Sequence, residues 1–440
     1  MTDTVLVHRV TELREPLVLA NGSLVSGTGE LVEADLLVCD GRIVDIGSAA
    51  GDADALRVDC SGCLILPEIT DLHVHLRDPG QTHKETIETG CRAALAGGVT
   101  RLAAMPNTFP LLATPAEVEY VLHTAREKGA GVDVLPVGAA VMARGSSELS
   151  DAAALRDAGC AAISDDGFAI QDAGLMREVL AASAEAGLPF LAHCEDLSIT
   201  GDGVLAPETA RVLGVTGIPA GAESTAVERN IALAVETGAR LHVMHVSEAA
   251  TVALMRQAKR DGLPLTCEAC PHHFALTADA ALTFGANAKM SPPLRTEADR
   301  QAVLEGLFDG TVDAIASDHA PHTAEEKAQS LAAAPCGIVG LETLVAVSYT
   351  ELVAREGMPL AQFAHLLCER PAGIVGRDVP RLAVGEPARL GVFELESAVI
   401  GLDWLHGMGR STPFIDFGVA LRPVAAVAGD VLFAPTWRRA

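Results

Sequence analysis

Apolar runs recur through the middle of the chain, each followed by a segment with helical spacing. The runs are TDLHVHL (70–76), TRLAAMP (100–106), VDVLPVGAA (132–140), AAISDD (161–166), PFLAHCE (189–195), RLHVMHVS (240–247), PLTCEACPHH (264–273) and VDAIASDHA (312–320). Short continuous apolar runs read as strands buried on both faces, the pattern of a parallel sheet. Amphipathic segments such as ETIETGCRAALAGG (85–98) and GLMREVLAASAEAG (174–187) lie between them. Helices in this region end near Gly98, Gly129, Gly159, Gly187, Gly238, Gly262 and Gly310. Glycine just past a helix accepts the left-handed conformation at little steric cost. Eight strand-then-helix units in series predict an α/β fold, a (β/α)8 TIM-type barrel spanning 67–375.

The two ends of the chain carry a different pattern. LVLANGSLV (17–25), ADLLVCDGRIVDIG (34–47) and LRVDCSGCLIL (56–66) read as short strands with turns, and residues 381–435 look similar. Asn21-Gly22 and Asp40-Gly41 are hairpin signals. Residues 1–66 and 376–440 are therefore expected to join into one composite β-sandwich domain, with residues 1–14 as a loosely held arm.

Composition narrows the function. Aromatics are 3% of the chain, so the core must be built from Ala, Val, Leu and Ile. A net charge of −26 repels phosphate backbones and argues against nucleic-acid binding. No basic segment followed by an apolar stretch opens the chain, and no uncharged run is long enough to span a bilayer, so a cytoplasmic protein with no membrane partner is expected. Ten cysteines are scattered without a disulfide pattern; Cys60/Cys63 and Cys267/Cys270 form two CxxC pairs about 200 residues apart. Reduced, buried thiols are a better reading than a zinc ribbon.

Barrel active sites sit at the C-terminal ends of the strands. His73 and His75 end the first strand, and a spacing of two puts both on one face. Asp165 and Asp166 end the fourth, His193 the fifth and His245 the sixth; Asp318 ends the eighth, followed by His319 and His322. A lone histidine at a strand end is usually hydrogen-bonded structure. Histidines and aspartates at the same end of five strands are the donor set of a metal centre. His272 and His273, closing the seventh strand, and His242 read as structural.

The motifs DLHVHLRDP (71–79) and ASDHAPHTAEEK (316–327) resemble the two signatures of dihydroorotases, members of the cyclic amidohydrolase superfamily. AMPNT (104–108), SDDG (164–167), AHCED (192–196), HVMHVS (242–247) and KMSPPLR (289–295) resemble the intervening motifs in the same order, most closely those of the bacterial class I branch. The resemblance implies reversible interconversion of N-carbamoyl-L-aspartate and L-dihydroorotate in pyrimidine synthesis, with one or two Zn2+ per subunit. It implies His73 and His75 as ligands of a first zinc, His193 and His245 of a second, and Asp166 as the bridge. Many relatives bridge with a carbamylated lysine, but no lysine occurs between Lys128 and Lys259. Asp318 would touch a metal and shuttle the proton. Arg77, Asn107 and His322 would bind the substrate carboxylate, with Ser291, Cys336 and Gly337 also at the substrate. The chemistry is coherent, because zinc lowers the pKa of water from about 15.7 to about 7, and an arginine fork suits a carboxylate. The resemblance also admits a homodimer and docking of aspartate carbamoyltransferase.

Four positions depart from the family pattern: Glu68 where glycine is usual, Ser291 for asparagine, Cys336 for an aromatic and Phe109 for arginine. None removes a metal ligand. Two alternatives stay open: a hydantoinase or allantoinase type of cyclic amidohydrolase, and a catalytically silent subunit that scaffolds the transferase.

Overall fold

The structure is a computed structural model, and it describes residues 10–25, 30–47 and 55–435. Eight parallel strands form the central sheet: β1 (Thr70–Val74), β2 (Arg101–Ala104), β3 (Asp133–Ala139), β4 (Ala162–Ser164), β5 (Phe190–Ala192), β6 (Leu241–Val243), β7 (Thr266–Ala269) and β8 (Ala314–Ile315). They neighbour one another in sequence order. Just past β8, a parallel bridge between Val74 and His319 draws the last strand back to the first, and the His75 N–H donates to the His319 carbonyl at 2.8 Å. The barrel expected from the alternation is thus present, with all eight strands inside the predicted runs.

Scarcity of aromatics shapes the packing. Ala93, Ala94, Leu95 and Val99 on the first barrel helix side, and Val227, Leu233 and Ala234 further round, belong to one apolar cluster with the outer faces of the strands. Smaller clusters such as Ala103, Met105, Val137, Ala162, Leu191 and Met244 fill the remainder. Small residues let helices sit close to strands, and close packing keeps side chains in single rotamers. Gly98, Gly159, Gly187, Gly238, Gly262 and Gly310 take positive φ as expected. Gly129 does not: its φ is −79°, and Ala130 and Gly131 take the left-handed positions instead.

Strand β7 stops earlier than its apolar run. Pro271 lacks an N–H for the ladder, so the chain turns into a short helix over Pro271–Ala275 that carries His272 and His273. These histidines lie beyond the strand they were expected to close.

Strands from both chain ends join in a nine-stranded sheet. Leu31–Cys39 and Arg42–Gly47 form the hairpin expected at Asp40-Gly41, whose residues take φ of 48° and 68°. Asn21-Gly22 makes no hairpin. It sits inside the strand Leu17–Val25 as a bulge, with Asn21 at φ 60°. Its side chain donates to Asp59, its N–H donates to Asp35, and a Cβ on Gly22 would lie 2.5 Å from Ile65 Cδ1. The same residue types that favour a tight turn here allow a kink under a crowded neighbour. The expected N-terminal arm is partly sheet, since Val10–Glu12 pairs antiparallel with Val431–Phe433; residues 1–9 lie outside the described residues. Residues 398–421 return to the barrel, where the N–H groups of His406 and Gly407 donate to buried Glu342. Among the described residues no helix is long and apolar enough to cross a membrane.

Candidate metal centre

The C-terminal ends of β1, β4, β5, β6 and β8 converge beneath a cleft of about 1170 Å³. Asp166 lies at the focus. One carboxylate oxygen is 3.3 Å from His73 Nε2 and 3.6 Å from His193 Nδ1; the other is 3.4 Å from His75 Nε2. His193 Nδ1 and His245 Nε2 are 2.9 Å apart. Asp318 Oδ1 approaches His75 Nε2 at 3.3 Å and His73 Nε2 at 3.5 Å. Two buried triads that could hold a metal emerge, His73–His75–Asp166 and Asp166–His193–His245, with Asp166 common to both.

Backbone conformation aims these groups. Arg77, His245 and Asp318 take φ of 59°, 36° and 48°, which L-residues visit rarely. Such strain persists only where surrounding structure enforces it, and it concentrates at functional sites.

The electrostatics favour a cation. Burial alone would raise the Asp166 carboxyl, but His75 and His73 hold it well below the usual carboxylate range. Burial would lower His73, yet Asp318 and Asp166 raise it well above an ordinary imidazole. His193 is likewise opposed by burial and carried up to about 10 by Asp166 and Glu195. His245 goes the other way, since burial and the neighbouring His193 and His73 keep it neutral. Two carboxylates facing four imidazoles thus demand positive charge, from ring protons or from metal ions. His73 Nε2 is buried without a well-aligned hydrogen bond, as expected of a nitrogen whose lone pair is meant for an ion. The donor set, imidazole and carboxylate, fits divalent zinc.

Supporting contacts fix the ring orientations. Glu268 on β7, fully buried, accepts from His73 Nδ1 at 3.1 Å through one oxygen and from His242 Nε2 at 3.1 Å through the other. This carboxylate–histidine pairing leaves His73 Nε2 as the ligand nitrogen. Asn107 does the same for His75. Its Nδ2 donates to Asp166 at 3.1 Å, so its Oδ1 must accept from His75 Nδ1 at 2.8 Å. Asp165 is structural, receiving the N–H groups of Ile170 and His193. Sequence reading missed Glu268 and Glu195, which lies 3.5 Å from His193 Nε2. A glutamate inside an apolar strand was the available signal for the first.

The expected substrate residues line the cleft. Arg77 donates to the Pro321 carbonyl at 3.2 Å and lies 3.4 Å from His322 Nε2, which is 2.9 Å from the Cys336 carbonyl. Burial and the Arg77 charge lower His322 to about 4. Asn107, Ser291, Cys336 and Gly337 also border the cleft, whereas His73 and His245 lie below it. Gly337 has φ 133°, and a Cβ there would fall 2.6 Å from the Ala320 carbonyl oxygen. Phe109 stands 76% exposed at the rim, where arginine was the family expectation. Glu68, in place of the usual glycine, is fully buried far from this chemistry, 2.8 Å from Arg101 and 3.5 Å from Arg389.

Comparison with known proteins gives the same direction. Residues 62–250 match the family described as dihydro-orotase-like. The chain is 43% identical over 406 residues to a dihydroorotase of Brevibacillus brevis, covering 90% of this chain and 94% of that protein. It is 42% identical to a dihydroorotase of Bacillus caldolyticus, with 94% and 97% covered. Among solved structures, an L-hydantoinase (dihydropyrimidinase) from Arthrobacter aurescens superposes with a TM-score of 0.81 at 27% identity, covering 95% of this chain and 96% of that one. A dihydropyrimidinase from Brevibacillus agri shares the fold, with a TM-score of 0.80 at 23% identity and 96% and 95% covered.

Proposed function

The chain belongs to the dihydroorotase family of cyclic amidohydrolases, and on that premise we propose that it interconverts N-carbamoyl-L-aspartate and L-dihydroorotate at a zinc centre, as a bacterial class I enzyme of pyrimidine synthesis. The observation that carries the reading is Asp166 shared between two buried histidine pairs, directly below a cleft bordered by Arg77 and His322. We assign His73, His75, His193, His245, Asp166 and Asp318 to the metals. When bound, zinc supplies Lewis acidity, which polarises an amide carbonyl and brings the pKa of water near 7.

The chain's own groups then have defined tasks. Arg77 stays cationic beside a neutral His322, a donor surface for a carboxylate. In hydrolysis, water oxygen adds to the ring carbonyl carbon and the carbon–nitrogen bond breaks. Asp318 Oδ1 receives the water proton and returns it to the departing nitrogen, because an amide anion is a poor leaving group. In synthesis the same carboxylate takes the proton from the attacking nitrogen as water leaves. Glu268 and Asn107 hold His73 and His75 in one tautomer throughout.

A second reading is a hydantoinase-type substrate. Its support is the apolar wall of the cleft, including Phe109, Met142, Phe168 and Leu197, together with the hydantoinase fold neighbour. Turnover of L-dihydroorotate and of a hydantoin by the purified zinc-loaded protein and by His73→Ala distinguishes them. Loss of dihydroorotate turnover in the variant supports the proposal. Turnover of the hydantoin alone keeps the mechanism and overturns the substrate.

A further inference from the structure

Beside the candidate centre lies a separate group of donors that the proposed chemistry does not use. β7 ends at Ala269, and the next residues, Cys270, His272 and His273, turn back on themselves at the start of the short helix. All three are buried, with exposures of 0%, 1% and 3%. One ligand atom from each lies within 4.8 Å of the other two. The two imidazole rings meet edge to face, with centroids 4.3 Å apart.

Two of these buried nitrogens have no partner: His272 Nε2 and His273 Nδ1. An unsatisfied buried polar atom costs about 1–3 kcal/mol, so two on adjacent residues need a reason. The tautomer of His273 supplies a pointer. Its Nε2 lies 3.1 Å from the Pro292 carbonyl oxygen, which can only accept. Nε2 therefore carries the proton, and the unpartnered Nδ1 keeps a free lone pair. A histidine that donates through one nitrogen to a backbone carbonyl and offers the other is the usual arrangement around a bound metal.

We propose that Cys270, His272 and His273 form a second, thiolate-containing metal site that takes a zinc-type divalent cation and is structural in role. Sulfur and imidazole are the donors such an ion prefers. A cation here satisfies both orphaned nitrogens at once. It also ties the end of β7, through His273 and Pro292, to the segment that places Ser291 at the cleft.

Cobalt substitution during expression tests the site without needing activity. The candidate catalytic centre contains only imidazole and carboxylate donors, so it contributes no sulfur-to-cobalt transition. The expected result is a near-ultraviolet thiolate-to-cobalt charge-transfer band in the parent protein, absent in Cys270→Ser. Metal content should fall by one ion per chain in Cys270→Ser and in His273→Gln. No such band in parent protein whose visible cobalt spectrum shows the imidazole–carboxylate centre filled would overturn the site. So would a band that survives Cys270→Ser, which would belong to another thiol. If Cys270→Ser does not fold, the parent spectrum and His273→Gln decide. Retention of the band in His73→Ala, whatever happens to turnover, separates this site from the catalytic reading.

Discussion

Replacing Glu268 with glutamine probes how the centre is held rather than what it contacts. Glu268 is buried with both oxygens occupied, one on His73 Nδ1 and one on His242 Nε2, each at 3.1 Å. Burial would raise its carboxyl, but these two histidines hold it at about 2, so it is an anion at neutral pH. Glutamine keeps the volume and one acceptor. With that acceptor on His73, the amide N–H2 faces His242, which can accept at Nε2 by moving its proton to Nδ1 and donating to Thr266 Oγ1, 2.9 Å away. No buried donor is orphaned, so the fold should survive. What is lost is the negative charge behind His73. Removing a partner of this kind weakens metal binding by about 10–100-fold, equivalent to about 1.4–2.8 kcal/mol. Zinc competition against a chromophoric chelator measures this directly, with thermal unfolding of the metal-free protein as the control for folding. Glu268→Ala should also destabilise the metal-free protein, because two buried N–H groups lose their acceptor at about 1–3 kcal/mol each. Unchanged zinc affinity in Glu268→Gln would refute the reasoning and leave Glu268 a structural acid.

Other consequences follow from the same geometry. Asp166→Asn should abolish turnover together with metal retention at this centre, since the carboxylate belongs to both of its donor triads; metal analysis beside the activity assay checks it. Dialysis against a chelator should lower the melting temperature of the parent protein by more than that of Asp166→Asn, because only the parent loses counter-ions from the cluster around Asp166. His322 predicts a pH effect. Its folded pKa of about 4 lies below the unfolded 6.5, so the unfolded chain takes the proton first and stability falls as pH drops from about 6.5 to about 4. At pH 5 the loss attributable to this residue is about 2 kcal/mol, from a pKa of about 4 folded and 6.5 unfolded. Denaturant unfolding of His322→Asn at pH 7.5 and pH 5 should show that increment missing. Gly337→Ala should raise KM and cost about 1–3 kcal/mol, since φ 133° strains any other residue and the new Cβ meets the Ala320 carbonyl; steady-state kinetics and melting read the two effects.

Much of this molecule is legible in its sequence, because local chemistry repeats there. Eight apolar runs alternating with helical segments can bury their strands only between layers of helix, so the barrel and the end at which its site lies follow from periodicity alone. His73, His75, His193, His245, Asp166 and Asp318 are readable as a set because each terminates a strand at the same end. Turn chemistry was readable only where the neighbours allowed it: Asp40-Gly41 turns a hairpin, while Asn21-Gly22 lies in a strand under Ile65. The roles of Glu268 and Asn107 came from tertiary structure, which brings β7 behind His73 and the loop after β2 against His75 and Asp166. Which nitrogen of each histidine faces the centre, and that Cys270, His272 and His273 gather beyond β7, were likewise decided there. Strand order tells which residues share an end of a barrel. Ring orientation, tautomer and burial depend on side chains from distant parts of the chain, and only the closed fold brings those together.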